Sequence, residues 1–308
     1  MEIDTASVIR QMVVLFLMMA LGYLGGKTRI MSIQGNKSLS KVVNCITNPC
    51  NVLYSALCTE HHMTNGEVLK LMGVAAALYG GLILAAQAVP PLLRVPKEQR
   101  GQYKFMMIFS NIGFMGIPVI SAIYGAAAVF EVSIFIMIFY VVLYTYGLYL
   151  IRGGAGEFHF KELLTPMIVS SLLGVVCYLC GIRAPLVLEE TLDMVRGVTT
   201  PCAMMIIGCA LSDIPIRDVF SNWRLYVVAA LKLMAIPAAA YLLLRPVLTD
   251  PVVLGVVVAV MAMPIASNFT MLSAQYDRDQ RLASSATFIT TLLSVVTIPV
   301  LMGLLFAG

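Results

Sequence analysis

The sequence predicts an all-α membrane protein: ten transmembrane helices forming two inverted five-helix repeats, with the fourth and ninth helices broken and crossed. Three observations carry this reading. Long apolar runs follow one another along the whole chain, basic residues crowd into alternate loops, and the second half echoes the first in order.

The apolar runs come first. Of the 308 residues, 60% are hydrophobic and only 12% charged, with a mean hydropathy of +0.91. A soluble domain is nearer about half apolar and about a quarter charged, so the surplus apolar surface must face lipid. A helix crossing a bilayer core needs about 20 mostly apolar residues. Ten segments qualify: 8–26, 42–58, 68–90, 104–124, 129–151, 166–182, 197–212, 223–244, 252–275 and 282–306. Segments two and seven are short and carry a proline among polar residues, while four and nine are interrupted in their middles. The first run lacks a basic flank and an A-x-A cleavage pattern, so it reads as the first span rather than a removable leader.

The charges orient the spans. Loops one, three, five, seven and nine hold Lys27, Arg29, Lys37, Lys41, Arg94, Lys97, Arg100, Lys104, Arg152, Lys161, Arg217, Arg224, Arg278 and Arg281, 14 of the 20 basic residues. The opposite face has Arg10, Lys70, Arg183, Arg196 and Arg245. The positive-inside rule then puts the odd-numbered loops in the cytoplasm and both termini outside it, in a plasma or inner membrane.

The repeat supplies the architecture. GYLGG at 22–26 matches CYLCG at 177–181, Pro49 matches Pro201, and Tyr124 matches Tyr276, at offsets of 152 to 155 residues. The expected halves are 1–151 and 152–308. With five helices per half, the second copy enters the membrane from the opposite side, and such folds place their sites near the midplane where discontinuous helices meet.

Candidate site residues cluster there. FSNIGFMGIPV at 109–119 holds Asn111, Gly113, Gly116 and Pro118, and its counterpart AMPIASNFT at 262–270 holds Pro264, Ser267 and Asn268. Proline removes a backbone donor and glycine relaxes the backbone, so both segments are expected to unwind locally. Unwinding frees amide N–H groups that attract an anion at the following half-helix start. In segment two, Asn48 and Asn51 flank Pro49, and interhelical hydrogen bonding explains them nearly as well as a substrate-facing role. Lys232, nine residues into segment eight, stands near the midplane with no mid-span carboxylate to pair with it. It is expected to reach carbonyls freed by the breaks and to take the place of a bound cation there. Snorkelling to an interface or lining a wet cavity is the competing reading.

The motif N-x-x-x-M-G-I-P at 111–118, followed by Ile123, Tyr124 and Gly125, resembles the auxin efflux carrier family, as does the last helix from Gln275 through Pro299. The resemblance covers nearly the whole chain and is specific in segments four, nine and ten. It implies a scaffold part from segments one, two, six and seven, and a transport part from three to five and eight to ten. It also implies substrate at the crossing of four and nine, with the polar face of segment two on the scaffold wall and Tyr140 of segment five at a position where relatives often have a polar residue. In plant members a proline precedes the segment-four asparagine, and here that residue is Ser110.

Other functions fit poorly. No Walker-type phosphate loop and no Ser/His/Asp or Cys/His set is present, so neither direct use of ATP nor enzymatic catalysis is expected. Cys177 and Cys180 form a C-x-x-C inside an apolar run and read as packing residues, and His61, His62 and His159 make no ligand set. No metal, cofactor or nucleic acid is expected. The reading is a secondary carrier of a small organic anion, such as a carboxylate or auxin-like acid, working by elevator-type alternating access. A non-transporting receptor using the same pocket is the alternative, and a homodimer stays open.

Overall fold

The structure, a computed structural model, describes residues 5–59, 63–153, 164–212, 220 and 222–306. His61, His62, His159, Lys161 and Arg217 lie outside them. A helix or a run of helices occupies each of the ten apolar segments. Segment one is α1 (Thr5–Lys27), and segment two joins α2 (Ile33–Val42) to α3 (Asn48–Leu57). Then come α4 (Asn65–Leu92), the pair α5 (Arg100–Ile108) and α6 (Ile117–Tyr124), and the pair α7 (Val129–Val142) and α8 (Leu148–Arg152). The second half holds α9 (Pro166–Leu179), α10 (Leu186–Gly197) with α11 (Thr199–Ser212), and α12 (Trp223–Ala230) with α13 (Ile236–Leu244). It ends with α14 (Pro251–Ala262), α15 (Asn268–Gln275) and α16 (Gln280–Phe306). Five stretches are both long and apolar enough to cross a membrane: Asn65–Leu92, Val129–Arg152, Leu186–Ser212, Trp223–Leu244 and Gln280–Phe306. Segment seven, expected at 197–212, begins eleven residues earlier, since α10 and α11 are parted only by Val198 and form one apolar stretch, Leu186–Ser212.

The ends of these helices follow local chemistry. Thr64 and Glu67 form a capping box in which the Thr64 N–H donates to Glu67 Oε2 at 2.7 Å, starting α4. Asp250 caps α14 through the Val252 N–H at 2.7 Å, with Pro251 at the first helical position.

Among the described residues four helices open into π turns, one at Leu143–Gly147, and the other three have one cause. Val43–Thr47, Ile112–Gly116 and Leu231–Ala235 each start six residues before a proline, namely Pro49, Pro118 and Pro237. A proline lacks an N–H and its ring crowds the carbonyl four residues back, so the helix widens by one residue to relieve the clash. The wider pairing begins normally, with Asn48 N–H to Val43 O, Ile117 N–H to Ile112 O and Ile236 N–H to Leu231 O. The next donor would be the proline itself, so the carbonyls of Asn44, Gly113 and Lys232 lose their i+5 partner.

Packing sorts the segments. Helix α1 lies along α11 so closely that a Cβ on Gly22 would strike the Met205 backbone, and one on Gly208 the Met19 backbone. Small residues at such crossings let two apolar helices approach without a solvent-driven force between them. Helix α3 packs on α9 and α10; α4 packs on α5 and α7; α14 packs on α13, α16 and α7. Helices α7 and α14 are buried nearly all round and form the centre. The periphery exposes large apolar side chains such as Leu17 at 61%, Leu84 at 74% and Leu304 at 73%, an outer surface suited to lipid rather than water.

Candidate functional site at the crossing of two broken helices

Segment four breaks at Phe109–Asn111, between α5 and its π turn, and segment nine breaks at 263–267, between α14 and α15. The breaks pair with each other. Ser110 and Ile265 form an isolated antiparallel bridge, in which the Asn111 N–H donates to Pro264 O at 2.8 Å and the Ala266 N–H donates to Phe109 O at 3.1 Å. Each of these bonds replaces a helical one. In an unbroken helix the Asn111 N–H would serve Met107 O and the Ala266 N–H would serve Ala262 O, while the Ile265 N–H between them would serve Met261 O. A buried carbonyl or amide left without a partner costs about 1–3 kcal/mol, so diverted groups demand substitutes.

The substitutes are side chains from other segments. Lys232 is fully buried, and its Nζ donates to Met107 O at 2.9 Å, supplying the donor that Asn111 has taken elsewhere. The Ile265 N–H donates to the Thr290 hydroxyl of α16 at 3.3 Å, and that hydroxyl donates onward to Ala286 O at 2.8 Å. Gly113 O, deprived of its donor by Pro118, receives Asn48 Nδ2 at 3.2 Å. Asn111 Nδ2 donates to Ser267 Oγ at 3.0 Å, tying the two breaks through side chains as well as backbone.

Aromatic rings brace the crossing. Phe105 of α5 stacks on Phe269 of α15 with centroids 5.0 Å apart, and Phe109 meets Phe105 at 4.4 Å. Phe139 stands edge-on to Phe109 at 5.6 Å and to Tyr140 at 5.1 Å. Gly147, in the fourth π turn, leaves room for Phe109, whose Cζ would lie 2.9 Å from a Cβ there.

The structure therefore brings together Asn111, Pro264, Ser267 and Asn48, with Tyr140 beside them; its hydroxyl lies 4.0 Å from the point a Gly113 Cβ would occupy. Asn51 is buried one helical turn beyond Asn48. Asn268 is the first residue of α15, directly after the break, and is half-buried. One expectation holds in part and one needs correction. Segment four leaves the helix within 109–119, as expected, at Phe109–Asn111, while Gly113, Gly116 and Pro118 sit in the π turn and the first turn of α6. A widened turn absorbs the proline clash, and the pairing with residues 264–266 sets where the chain leaves the helix. Lys232, expected to gather several carbonyls from both breaks, donates to one, Met107 O of segment four.

The sequence reading missed Thr290, Met107 and the phenylalanine brace. Only Thr290 carries a polar signal, and it stands among six other hydroxyl residues of the same helix.

The family model described as "Membrane transport protein" matches residues 7–162 and 155–302, nearly the whole chain. The chain belongs to this membrane transport family. It is the family to which the auxin-carrier-like motifs at 111–118 and 275–299 pointed. A Rhizobium meliloti (strain 1021) protein named as a malonate transporter is 32% identical over 144 residues, 46% of this chain and 44% of that protein. The match thus spans less than half of that relative's length. An uncharacterized transporter of Methanocaldococcus jannaschii is 22% identical over 299 residues, 92% of this chain and 94% of that protein. Another, from Methanothermobacter thermautotrophicus, is 28% identical over 192 residues, 61% of this chain and 63% of that protein. Membership in a transport family and the run of apolar helices make this a multi-pass membrane transport protein.

Proposed function

We propose that this protein is a secondary carrier of a small organic anion that binds at the crossing of segments four and nine. The observation that carries the proposal is the paired break: two interrupted helices joined through Phe109–Asn111 and 264–266, with the Asn111 and Ser267 side chains linked across them. Irregular backbone at membrane depth is tolerated where it is buried in protein or lines a cavity. The second half-helices begin beside the break and present the positive ends of their dipoles to it, and Asn111 and Asn268 add neutral amide donors. Such a site holds a carboxylate without a fixed cation. Lys232 completes the first half-helix by holding Met107 O, the work a coordinated cation does in a fold whose broken helices expose carbonyls. Transport in this reading needs no sodium.

The same reading divides the chain into a scaffold of segments one, two, six and seven and a transport part of three to five and eight to ten, with α7 on α9 and α1 on α6 packed across the divide. Within each group the helices pack extensively, α1 on α11 and α3 on α9 in one, α4 on α5 and α13 on α14 in the other. Between the groups, the Asn48 bond to Gly113 O crosses from scaffold to crossing. In elevator-type alternating access this bond must break as the transport part moves. Ten crossings, an inverted repeat and outward-facing termini belong to the same proposal, supported by the helices at all ten segments and by the placement of basic residues. The malonate-transporter name of one relative favours a short carboxylic acid as substrate.

Uptake of labelled short carboxylic acids into proteoliposomes, with and without a proton gradient, tests this. Saturable uptake above protein-free vesicles supports a carrier. Binding with no uptake under any gradient would instead favour a receptor.

A further inference from the structure

We propose that a cavity at the cytoplasmic ends of segments four, eight and ten seats the head of a phosphatidylethanolamine from the cytoplasmic leaflet, its phosphate at Arg281 and Ser285 and its ammonium at Asp279. The site stands apart from the crossing. Gln99, part of its lining, precedes Phe109 by ten residues, about 15 Å along a helix.

The cavity has a volume of about 330 Å3, within the range of small-ligand sites. Gln99, Asn222, Asp279, Arg281 and Ser285 line it, together with the buried Leu225 and Leu282. These residues come from loops three, seven and nine and the helix starts beside them, the cytoplasmic face in the orientation proposed above. Some of the polar groups are already engaged. Asp279 caps α16: the Leu282 N–H donates to its Oδ1 at 2.9 Å, and Gln99 Nε2 donates to its Oδ2 at 3.0 Å. Asn222 Nδ2 donates to the Tyr103 hydroxyl at 3.2 Å, and Asn222 Oδ1 accepts from the Arg224 N–H at 3.1 Å. The Arg281 guanidinium and the Ser285 hydroxyl have no partner among the described residues. Ser285 is only 8% exposed, and it lines the cavity. A buried hydroxyl without a partner is costly, so each such group calls for an explanation, and a ligand in the cavity supplies one.

The chemistry of the lining selects that ligand. Arg281 precedes Ser285 by four residues, so the two share one face in the first two turns of a 27-residue helix, at the positive end of its dipole. A guanidinium, a hydroxyl and a helix N-terminus together suit a phosphate. Asp279 shares the lining, and each of its oxygens keeps a lone pair beyond the bond it accepts. A bare phosphate would meet that carboxylate as a like charge. A phosphate joined to a primary ammonium pairs both charges, and the ammonium donates hydrogen bonds to Asp279. The trimethylated nitrogen of phosphatidylcholine donates none, and phosphatidylglycerol carries no cation. The surroundings favour a lipid over a soluble phosphate ester. Trp223, next to Asn222, is 57% exposed, and Phe220 and Tyr226 are exposed near it, the aromatic side chains typical of a membrane–water interface.

Trp223 is the one tryptophan of the chain, so its fluorescence reports on this site. The full chain is reconstituted in phosphatidylcholine vesicles holding a minor fraction of phosphatidylethanolamine, phosphatidylglycerol or phosphatidylcholine with brominated acyl chains, and quenching of Trp223 is measured. Brominated phosphatidylethanolamine should occupy the site at least about threefold more strongly than either other lipid, as two partly exposed charge pairs imply. Arg281→Gln should lower it to the level of phosphatidylcholine. Asp279→Asn keeps an oxygen for the Leu282 N–H and should raise phosphatidylglycerol to the level of phosphatidylethanolamine. Lys97→Gln, at an exposed basic residue outside the cavity lining, should leave the preference unchanged. Equal quenching by the three lipids in the wild type, or a preference that survives Arg281→Gln, overturns the site. Phosphatidylglycerol that stays excluded from Asp279→Asn overturns the place given to the ammonium. Free phosphoethanolamine that binds the detergent-purified chain as tightly as the lipid does would make the cavity a site for soluble phosphate esters and overturn the assignment to a lipid.

Discussion

Replacing Lys232 by methionine probes the crossing from the side of its charge. The side chain is fully buried and donates to Met107 O at 2.9 Å. Two energies oppose each other on Lys232→Met. Leaving Met107 O without a donor costs about 1–3 kcal/mol. Removing an ammonium from membrane depth returns at least ~2.5–3.5 kcal/mol on insertion scales. The return matches or exceeds the cost, so the variant is expected to insert and fold with a melting temperature at or above that of the wild type. Function is the sensitive readout. If the lysine does the work of a coordinated cation, its loss leaves α5 with an open carbonyl end at the crossing, and uptake of labelled malonate into proteoliposomes falls to background. Lys232→Arg keeps a donor and a charge, and is expected to retain the fold and part of the transport. Wild-type uptake should be the same in sodium and in choline buffer. A Lys232→Met protein that transports normally, or a wild type strictly dependent on sodium, would refute the reasoning.

Other expectations follow from the same geometry. Asn111→Ala and Asn268→Ala should each lose ligand-induced thermal stabilisation while still inserting; full stabilisation in both would move the pocket elsewhere. Thr290→Val keeps the shape of the side chain but strands the Ile265 N–H, so it should destabilise by about 1–3 kcal/mol, read as a lower melting temperature without ligand. On a background lacking the seven cysteines, Gly66→Cys should be labelled from outside the cell and Lys97→Cys only after permeabilisation; the reverse would invert the orientation drawn from the basic loops.

The helical scaffold was legible because it depends on composition and length, which a sequence carries openly. The break in segment nine was legible too: Pro264 lies inside it, with Ser267 at the start of the next helix. In segment four the same reasoning marked the stretch 109–119, and the break falls at its start. Glycine and proline there signal local strain, and a π turn relieves it while the chain remains helical. The actual break, at Ser110, is set by pairing with Ile265 at the other end of the chain, which no local pattern announces. Lys232 shows the same division. Its depth and its lack of a carboxylate partner could be read from spacing, but the carbonyl it serves could not. Met107 O is vacant only because Asn111 donates to Pro264 instead. Asn48 was legible as an unusual amide in an apolar helix, but its partner became clear only once Pro118 was seen to strip Gly113 O of its donor. Thr290 was hidden among the hydroxyl residues of α16.

Whether an acid sits where segments four and nine cross is tested most directly by an experimental structure of the protein with a brominated short carboxylic acid, the bromine located by its anomalous signal. The account predicts a peak at the break, with the carboxylate within hydrogen-bond reach of the Asn111 side chain and the paired strands at Ser110 and Ile265 intact. A peak elsewhere in a protein that transports the same acid would contradict it.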